Sequence, residues 1–200
     1  MSTRASIDRP QTGFTMLEVL VSLVILVFGL LGMIGLQARA QIATFESYQR
    51  GQALILVQDM ADRIAANRSA AGCYAVTTDT ANGTPYLGTG YGGTPTCNVA
   101  VGTTATRARA DADLQAWNSA LLGASETLGG AAVGAVLGAR GCVTYIAATN
   151  AYRVAVAWQG MANTVAPTAG DALATCARNL YGPDGQRREV SVTIRIANLS

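Results

Sequence analysis

The sequence predicts an α+β protein in which one long N-terminal helix packs on a small antiparallel β-sheet. Three observations predict this class. An apolar run lies near the start of the chain, polar and apolar residues then recur with helical spacing, and three segments near the C-terminus alternate with a period of two. A chain of 200 residues is long enough for one domain with a sizeable core behind the apolar run.

The first half of the predicted helix is long enough to cross a bilayer. Residues 14–36 number 23, and at about 1.5 Å per residue they reach about 35 Å, against a hydrocarbon core of about 30 Å. Arg4 and Arg9 precede this segment, which favours a cytoplasmic N-terminus. We therefore expect a membrane anchor that includes Phe14, Leu17, Val19 and Leu36.

Glu18 places a carboxylate at the head of this apolar run. A charge at the bilayer centre costs about 2.5 to 3.5 kcal/mol, and less near the interface, so a partner is expected. If the chain were cut after Gly13, the new amine of Phe14 would lie one helical turn from Glu18, because residues i and i+4 share a face. Cleavage would thus create a cation beside the carboxylate.

Gly13, Phe14, Glu18 and the apolar stretch resemble the type III signal of type IV pilins and type II secretion pseudopilins. The resemblance implies that residues 1–13 are a leader peptide. A prepilin peptidase would cut between Gly13 and Phe14 and methylate the Phe14 amine. Glu18 would then pair with the terminal amine of a neighbouring subunit as a filament grows.

Two simpler interpretations compete with this one. Ala38 and Ala40 satisfy the small-x-small rule of an ordinary signal peptidase, which would release a secreted binding module beginning at Gln41. The apolar core of residues 19–36 is longer than the usual 7 to 15 residues of such a signal, and Glu18 would have no purpose there. A plain single-pass anchor is the other alternative.

The helix is predicted to continue through residues 37–70 as its periplasmic half. Residues 37–66 contain no proline, and Asp59 and Arg63 stand four apart in the order that favours a helical ion pair. The apolar positions recur at helical spacing at Ala53, Leu56, Val57, Met60, Ala61 and Ile64. Residues 71–200 are expected to form the globular domain.

Three stretches of sequence make the resemblance more specific. GLLGMIGLQARA at residues 29–40 and LILVQDMADRIAANRSAA at residues 54–71 resemble PilV-type minor pilins of the type IV pilus, and VAVAWQG at residues 154–160 fits the same family. The resemblance implies insertion in the inner membrane with a periplasmic domain, and then packing into a pilus that supports twitching motility and attachment. The implied partners are minor and major pilins, prepilin peptidase, the inner-membrane pilus assembly machinery and membrane lipid. A minor pseudopilin of type II secretion is the alternative, since residues 1–36 do not separate the two.

The globular domain is predicted to begin with a loop region rich in glycine and threonine after Cys73. Asp111 or Asp113 is then expected to cap a short helix that carries Trp117. Residues 129–141 are interpreted as a linker of small residues.

Three later segments alternate with a period of two and predict antiparallel strands. Thr149 and Asn150 are expected to turn the first pair, and residues 183–185 to form a turn before the last strand. The outward positions of the last strand predict one sheet face exposed to water and one covered by the helix. The apolar positions are Val143, Tyr145 and Ala147, then Tyr152, Val154, Val156 and Trp158, then Val190, Val192, Ile194 and Ile196, and the outward ones are Ser191, Thr193 and Arg195.

All four cysteines lie beyond the anchor, on the side where oxidation is permitted, and their even number predicts two disulfides. Of three possible pairings, closure of the nearest loops selects Cys73 with Cys97 and Cys142 with Cys176, each worth about 3 to 4 kcal/mol. A zinc site would favour close C-x-x-C pairs, which the chain lacks. Four free buried thiols are the remaining alternative.

Composition argues against catalysis and against nucleic-acid binding. The chain has no histidine, which removes the commonest general base and the usual catalytic zinc ligand. Asp111 and Asp113 could in principle act as a carboxylate pair, but residues two apart near a helix start are more often cap and first-turn charges. A net charge of +2 is too small to indicate nucleic-acid binding. We expect a structural assembly protein with no catalytic residue, metal or cofactor.

Overall fold

The structure is a computed structural model that describes residues 13–124, 126–132, 134 and 136–196, without the side chains of residues 131 and 132. The predicted leader lies outside the described residues except for Gly13. The helices are α1 Met16–Ala66, a 3-10 helix Arg68–Tyr74, α2 Thr104–Leu121 and α3 Pro167–Gly170, and the strands are β1 Leu87–Gly88, β2 Thr127–Leu128, β3 Ala131–Ala132, β4 Arg140–Ile146, β5 Ala151–Gln159 and β6 Arg187–Arg195.

The chain divides into two compact units, one ending at Thr44 and the other beginning at Phe45, and helix α1 contributes residues to both. In the first unit, the large apolar side chains from Phe14 to Leu36 are about half exposed or more. In the second unit, α1 buries one face at helical spacing. That face consists of Gln49, Ala53, Val57, Met60, Ala61 and Ile64.

The main sheet has four antiparallel strands in the order β1, β4, β5, β6. Val143 on β4 pairs with Val154 on β5, which pairs with Val192 on β6, so that one valine-rich face packs with the buried face of α1 in a common core. The predicted α+β class is confirmed, and the three predicted strands are present. Residues 147–150 connect β4 to β5, and Asn150 adopts the left-handed conformation with φ 46°.

The other sheet face is not simply exposed to water, as the alternation predicted. The segment between β5 and β6 folds back over it and forms a second apolar cluster, while Ser191, Thr193 and Arg195 stay exposed. The prediction was wrong for the part of the face that this segment covers, because the alternation of polar and apolar residues was seen in β6 alone. The cover comes from a glycine- and alanine-rich segment with no periodic signal. The second cluster consists of Cys142, Ala155, Ala157, Cys176, Ala177 and Tyr181.

Helix α2 begins earlier than predicted, and neither Asp111 nor Asp113 caps it. Thr103 is the N-cap, and its hydroxyl accepts the backbone N–H of Thr106 while the Thr106 hydroxyl accepts the N–H of Thr103. This reciprocal pair satisfies two backbone donors that would otherwise lack partners at the helix start. Trp117 is buried, and its indole N–H donates to the carbonyl of Leu56 at 2.8 Å.

Residues 129–141 are not simply a linker. Strands β2 and β3 pair as a hairpin around Gly129 and Gly130, both at positive φ, and residues 140 and 141 already belong to β4. The sequence reading missed the hairpin because its strands are only two residues long.

Candidate functional site

The segment around Gly13 and Phe14 is open. No described residue lies within 4 Å of the position that a Cβ of Gly13 would occupy, and Phe14 is 83% exposed. Helix α1 begins two residues later, at Met16. The peptide bond between Gly13 and Phe14 therefore lies outside helix α1.

Thr15 stands at the head of α1 and was not singled out from the sequence. The backbone N–H of Glu18 donates to the Thr15 hydroxyl at 3.3 Å and to the Thr15 carbonyl at 3.1 Å. The sequence signal was present, because Thr-x-x-Glu before an apolar run is typical of a helix start. Thr15 thus fixes where the helix begins relative to Phe14.

Glu18 lies in the first turn of α1, and its side chain is exposed. The partial positive charge of a helix N-terminus favours a carboxylate at this position. The carboxylate also borders a shallow groove along one helix face, in which the Ser22 hydroxyl donates to the Val19 carbonyl at 2.9 Å. The groove is lined by Thr15, Leu17, Glu18, Val21, Ser22 and Ile25.

The apolar part of α1 is able to cross a membrane by its length and composition. An 18-residue window of this helix has a mean hydropathy of 2.8, and none of that window is buried. A second shallow groove on the same segment is wholly apolar and is lined by Leu20, Leu23, Val24, Val27 and Phe28. Lipid or another apolar helix is the natural environment of such a surface.

The two aspartates considered as a catalytic pair have separate structural roles. Asp113 is buried and accepts hydrogen bonds from the Tyr74 hydroxyl at 2.6 Å and from Arg63 at 3.0 Å. Burial and the Asp113 carboxylate raise the pKa of the Tyr74 hydroxyl. Asp111 instead accepts the backbone N–H of Cys97. These contacts hold the 3-10 helix and the loop after it against α2.

Two disulfides are present, the number that the cysteine count predicted. Cys73 is joined to Cys97, and Cys142 to Cys176, which are the pairs that close the nearest loops. Cys142 lies on β4 and Cys176 lies in the segment between β5 and β6, and both are buried, whereas Cys97 is half-buried. Each disulfide therefore joins a loop to a helix or a strand.

The fold and the N-terminal segment define a class of protein: an α+β domain built on the second half of a helix whose first half is apolar enough for a membrane. Two family models match the chain. Residues 8–34 match the prokaryotic N-terminal methylation motif, and residues 35–113 match Tt1218-like, described as type IV pilin Tt1218. Together they support a type IV pilin that carries a prepilin N-methylation motif. No curated protein and no solved structure gave a significant match.

Proposed function

We propose that this chain is a minor pilin of the PilV type that serves in pilus assembly or priming, twitching motility and attachment. Prepilin peptidase removes residues 1–13 and methylates the amine of Phe14. Residues 14–36 then cross the inner membrane once, which places the domain of residues 71–200 in the periplasm until the subunit enters the pilus. Its partners are other minor and major pilins, the inner-membrane assembly machinery and membrane lipid.

The observation that carries this proposal is the position of Glu18. Its exposed carboxylate lies in the first helical turn, four residues after Phe14, at the head of an apolar helix. In lipid such a carboxylate is costly unless a cation meets it. The amine that cleavage creates is a cation of the right kind, and the amine of a neighbouring subunit supplies it between chains. We therefore assign Glu18 to assembly and Gly13 and Phe14 to processing.

Replacing Glu18 by alanine tests the assignment. We expect Glu18→Ala to be inserted and cleaved largely normally, because the cut lies outside the helix, but to be absent from pili, because its terminal amine has no carboxylate to meet. Mass spectrometry of the membrane-bound chain measures processing, and immunoblotting of sheared pili measures incorporation.

Ser22→Ala is the matched control, because Ser22 lines the same groove and its hydroxyl donates to the Val19 carbonyl of its own helix. This variant should be processed and incorporated like the wild type. Normal incorporation of Glu18→Ala would refute the pairing role, and a mature chain that begins at Gln41 would refute the pilin proposal. A deletion strain that keeps twitching but loses protein secretion would identify a type II secretion pseudopilin instead.

A further inference from the structure

A small pocket in the globular unit lies beside helix α1 and has no assigned role. Its volume is about 70 Å³. One wall is a single helix face, formed by residues spaced three and four apart, and the opposite wall comes from the chain on either side of the β2–β3 hairpin. The lining residues are Phe45, Tyr48, Gln49 and Gln52 on the helix and Glu126, Gly134 and Val136 opposite.

Gln49 gives this pocket an unsatisfied hydrogen-bond acceptor. Its side chain is 3% exposed, and within the described part of the chain its amide oxygen has no hydrogen-bond partner. Buried polar atoms are nearly always paired, because an unpaired acceptor has lost its water without replacement. A donor that enters the pocket would restore the missing hydrogen bond once a small shift of the Gln49 side chain turns this oxygen toward it.

Glu126 sets the charge of the pocket. No described residue lies within ion-pairing or hydrogen-bonding distance of its carboxylate, whereas Glu46, Asp113, Asp171, Asp184 and Glu189 in the same unit all have arginine partners. The pocket thus combines a free carboxylate with an unpaired amide oxygen. Both features favour a cationic group with several N–H donors.

Two aromatic rings complete the site. Phe45 and Tyr48 are about half exposed, and Gln52 donates to the Tyr48 hydroxyl at 3.3 Å, which restrains that ring. Aromatic faces attract cations, and a planar guanidinium also stacks on them. An ammonium group would satisfy the charge but has no flat face to stack, and an anion would be repelled by Glu126.

We propose that this pocket receives an arginine side chain from a neighbouring pilin subunit. This proposal rests on the proposed function, which supplies the neighbour. Arginine is the only cationic side chain in this chain, which has no lysine. Among the described residues several arginines form no ion pair, so a subunit of similar composition has arginines to offer. Those here that form neither an ion pair nor a cation–π contact with a described residue are Arg39, Arg50, Arg68, Arg107, Arg178 and Arg195.

Titration of the mature full-length chain in detergent micelles tests the pocket. The probe is N-acetyl-arginine amide, and N-acetyl-citrulline amide is its uncharged isostere. We expect arginine to shift the NMR signals of the Gln49 side-chain amide and the Tyr48 ring with a millimolar Kd, and citrulline to shift neither. Glu126→Gln should weaken arginine binding by about threefold or more, the scale of a partly exposed ion pair. Asp62→Asn, which removes an exposed carboxylate outside the pocket, should not change it.

Three results would overturn the proposal: no shift of these signals up to about 50 mM arginine probe, equal binding of citrulline, or unchanged binding by Glu126→Gln. The titration uses the isolated chain and does not depend on assembly. A negative titration together with normal pilus incorporation would therefore reject the pocket and leave the pilin proposal standing.

Discussion

Arg187, at the start of β6, is a fully buried cation whose guanidinium N–H groups donate to several different residues. Its guanidinium binds the Asp184 carboxylate at 2.7 Å and the Glu189 carboxylate at 2.6 Å. It also donates to the carbonyls of Ala174 at 2.8 Å and Cys176 at 3.2 Å. One side chain thereby links the last strand to the segment that covers the outer sheet face.

Replacing Arg187 by methionine should lower the free energy of unfolding by about 3 to 5 kcal/mol, because it leaves Glu189 buried without its closest cation. Urea unfolding of the mature chain in micelles, followed by tryptophan fluorescence, measures this, since Trp117 and Trp158 both lie in the globular unit. Arg195→Met removes an exposed arginine that pairs with no described carboxylate from the same strand and should change stability by less than about 0.5 kcal/mol. Equal effects of the two substitutions would contradict this role.

Asp184 makes this link sensitive to acid. The hydrogen bond and charge of Arg187 hold the pKa of the Asp184 carboxyl below its usual value, although partial burial raises it. The folded protein therefore releases this proton more readily than the unfolded chain, so the stabilisation is complete above the unfolded pKa and is lost as pH falls through the folded one.

Asp184→Asn removes this titratable group. The variant should therefore be less stable than the wild type near neutral pH, and the difference between the two should become smaller in acid. We expect the difference in unfolding free energy to be largest above about pH 5 and to shrink below about pH 4. Urea unfolding at a series of pH values measures it. A difference that stays constant from pH 6 to pH 3 would show that the carboxylate charge is not what Arg187 requires.

At the scale of elements, the sequence predicted the helices and strands in which apolar residues recur regularly over several residues. Helix α1 and strands β4 to β6 are of this kind, because each buries one continuous face in the core. The start of α2 could not be placed from Asp111 and Asp113, since a threonine pair caps the helix while one aspartate is needed in its interior. The signal for a cap is local, but the need for a buried carboxylate arises from Arg63 and Tyr74, which are distant in sequence.

Gly141 shows how closely α2 and β4 approach. A Cβ on this residue would overlap the ring of Trp117 and lie 2.7 Å from Leu121. Gly141→Ala should therefore lower the free energy of unfolding by about 1 to 3 kcal/mol, the usual cost of overpacking a core. Urea unfolding followed by circular dichroism measures the change.

Gly51→Ala is the control for this substitution and should raise the free energy of unfolding. Gly51 lies within α1, and nothing in the described part of the chain is within 4 Å of the position its Cβ would occupy. Alanine in a helix interior is more stable than glycine by about 1 kcal/mol. If Gly141→Ala also raised stability, the close approach of α2 to β4 would be excluded.

At the scale of the whole molecule, the N-terminal site could be proposed from the sequence because Gly13, Phe14 and Glu18 lie close together in the chain. The pocket at Gln49 and the link at Arg187 were not, because each joins residues that only the folded chain brings together. Pairing each cysteine with its neighbour in the sequence gave the two pairs that the structure contains. Their partners are 24 and 34 residues apart. Only the structure showed that one of those bonds joins the sheet to the segment that covers it.

The Cys142–Cys176 bond should therefore matter for the segment between β5 and β6 as well as for total stability. Its loop spans 34 residues, so replacing both cysteines by alanine should cost about 3 to 4 kcal/mol. The segment should also detach, which would expose the fully buried Arg187. Limited trypsin digestion of the mature chain, followed by mass spectrometry, measures new cleavage after Arg187.

The paired substitution of Cys73 and Cys97 separates the local effect of a disulfide from its effect on total stability. Its loop spans 24 residues, and the chain-entropy cost is again about 3 kcal/mol. This bond holds the loop after the 3-10 helix and does not touch the cover of the sheet, so Arg187 should stay protected from trypsin. Rapid cleavage after Arg187 in both variants would mean that general destabilisation, and not the Cys142–Cys176 bond, controls that segment.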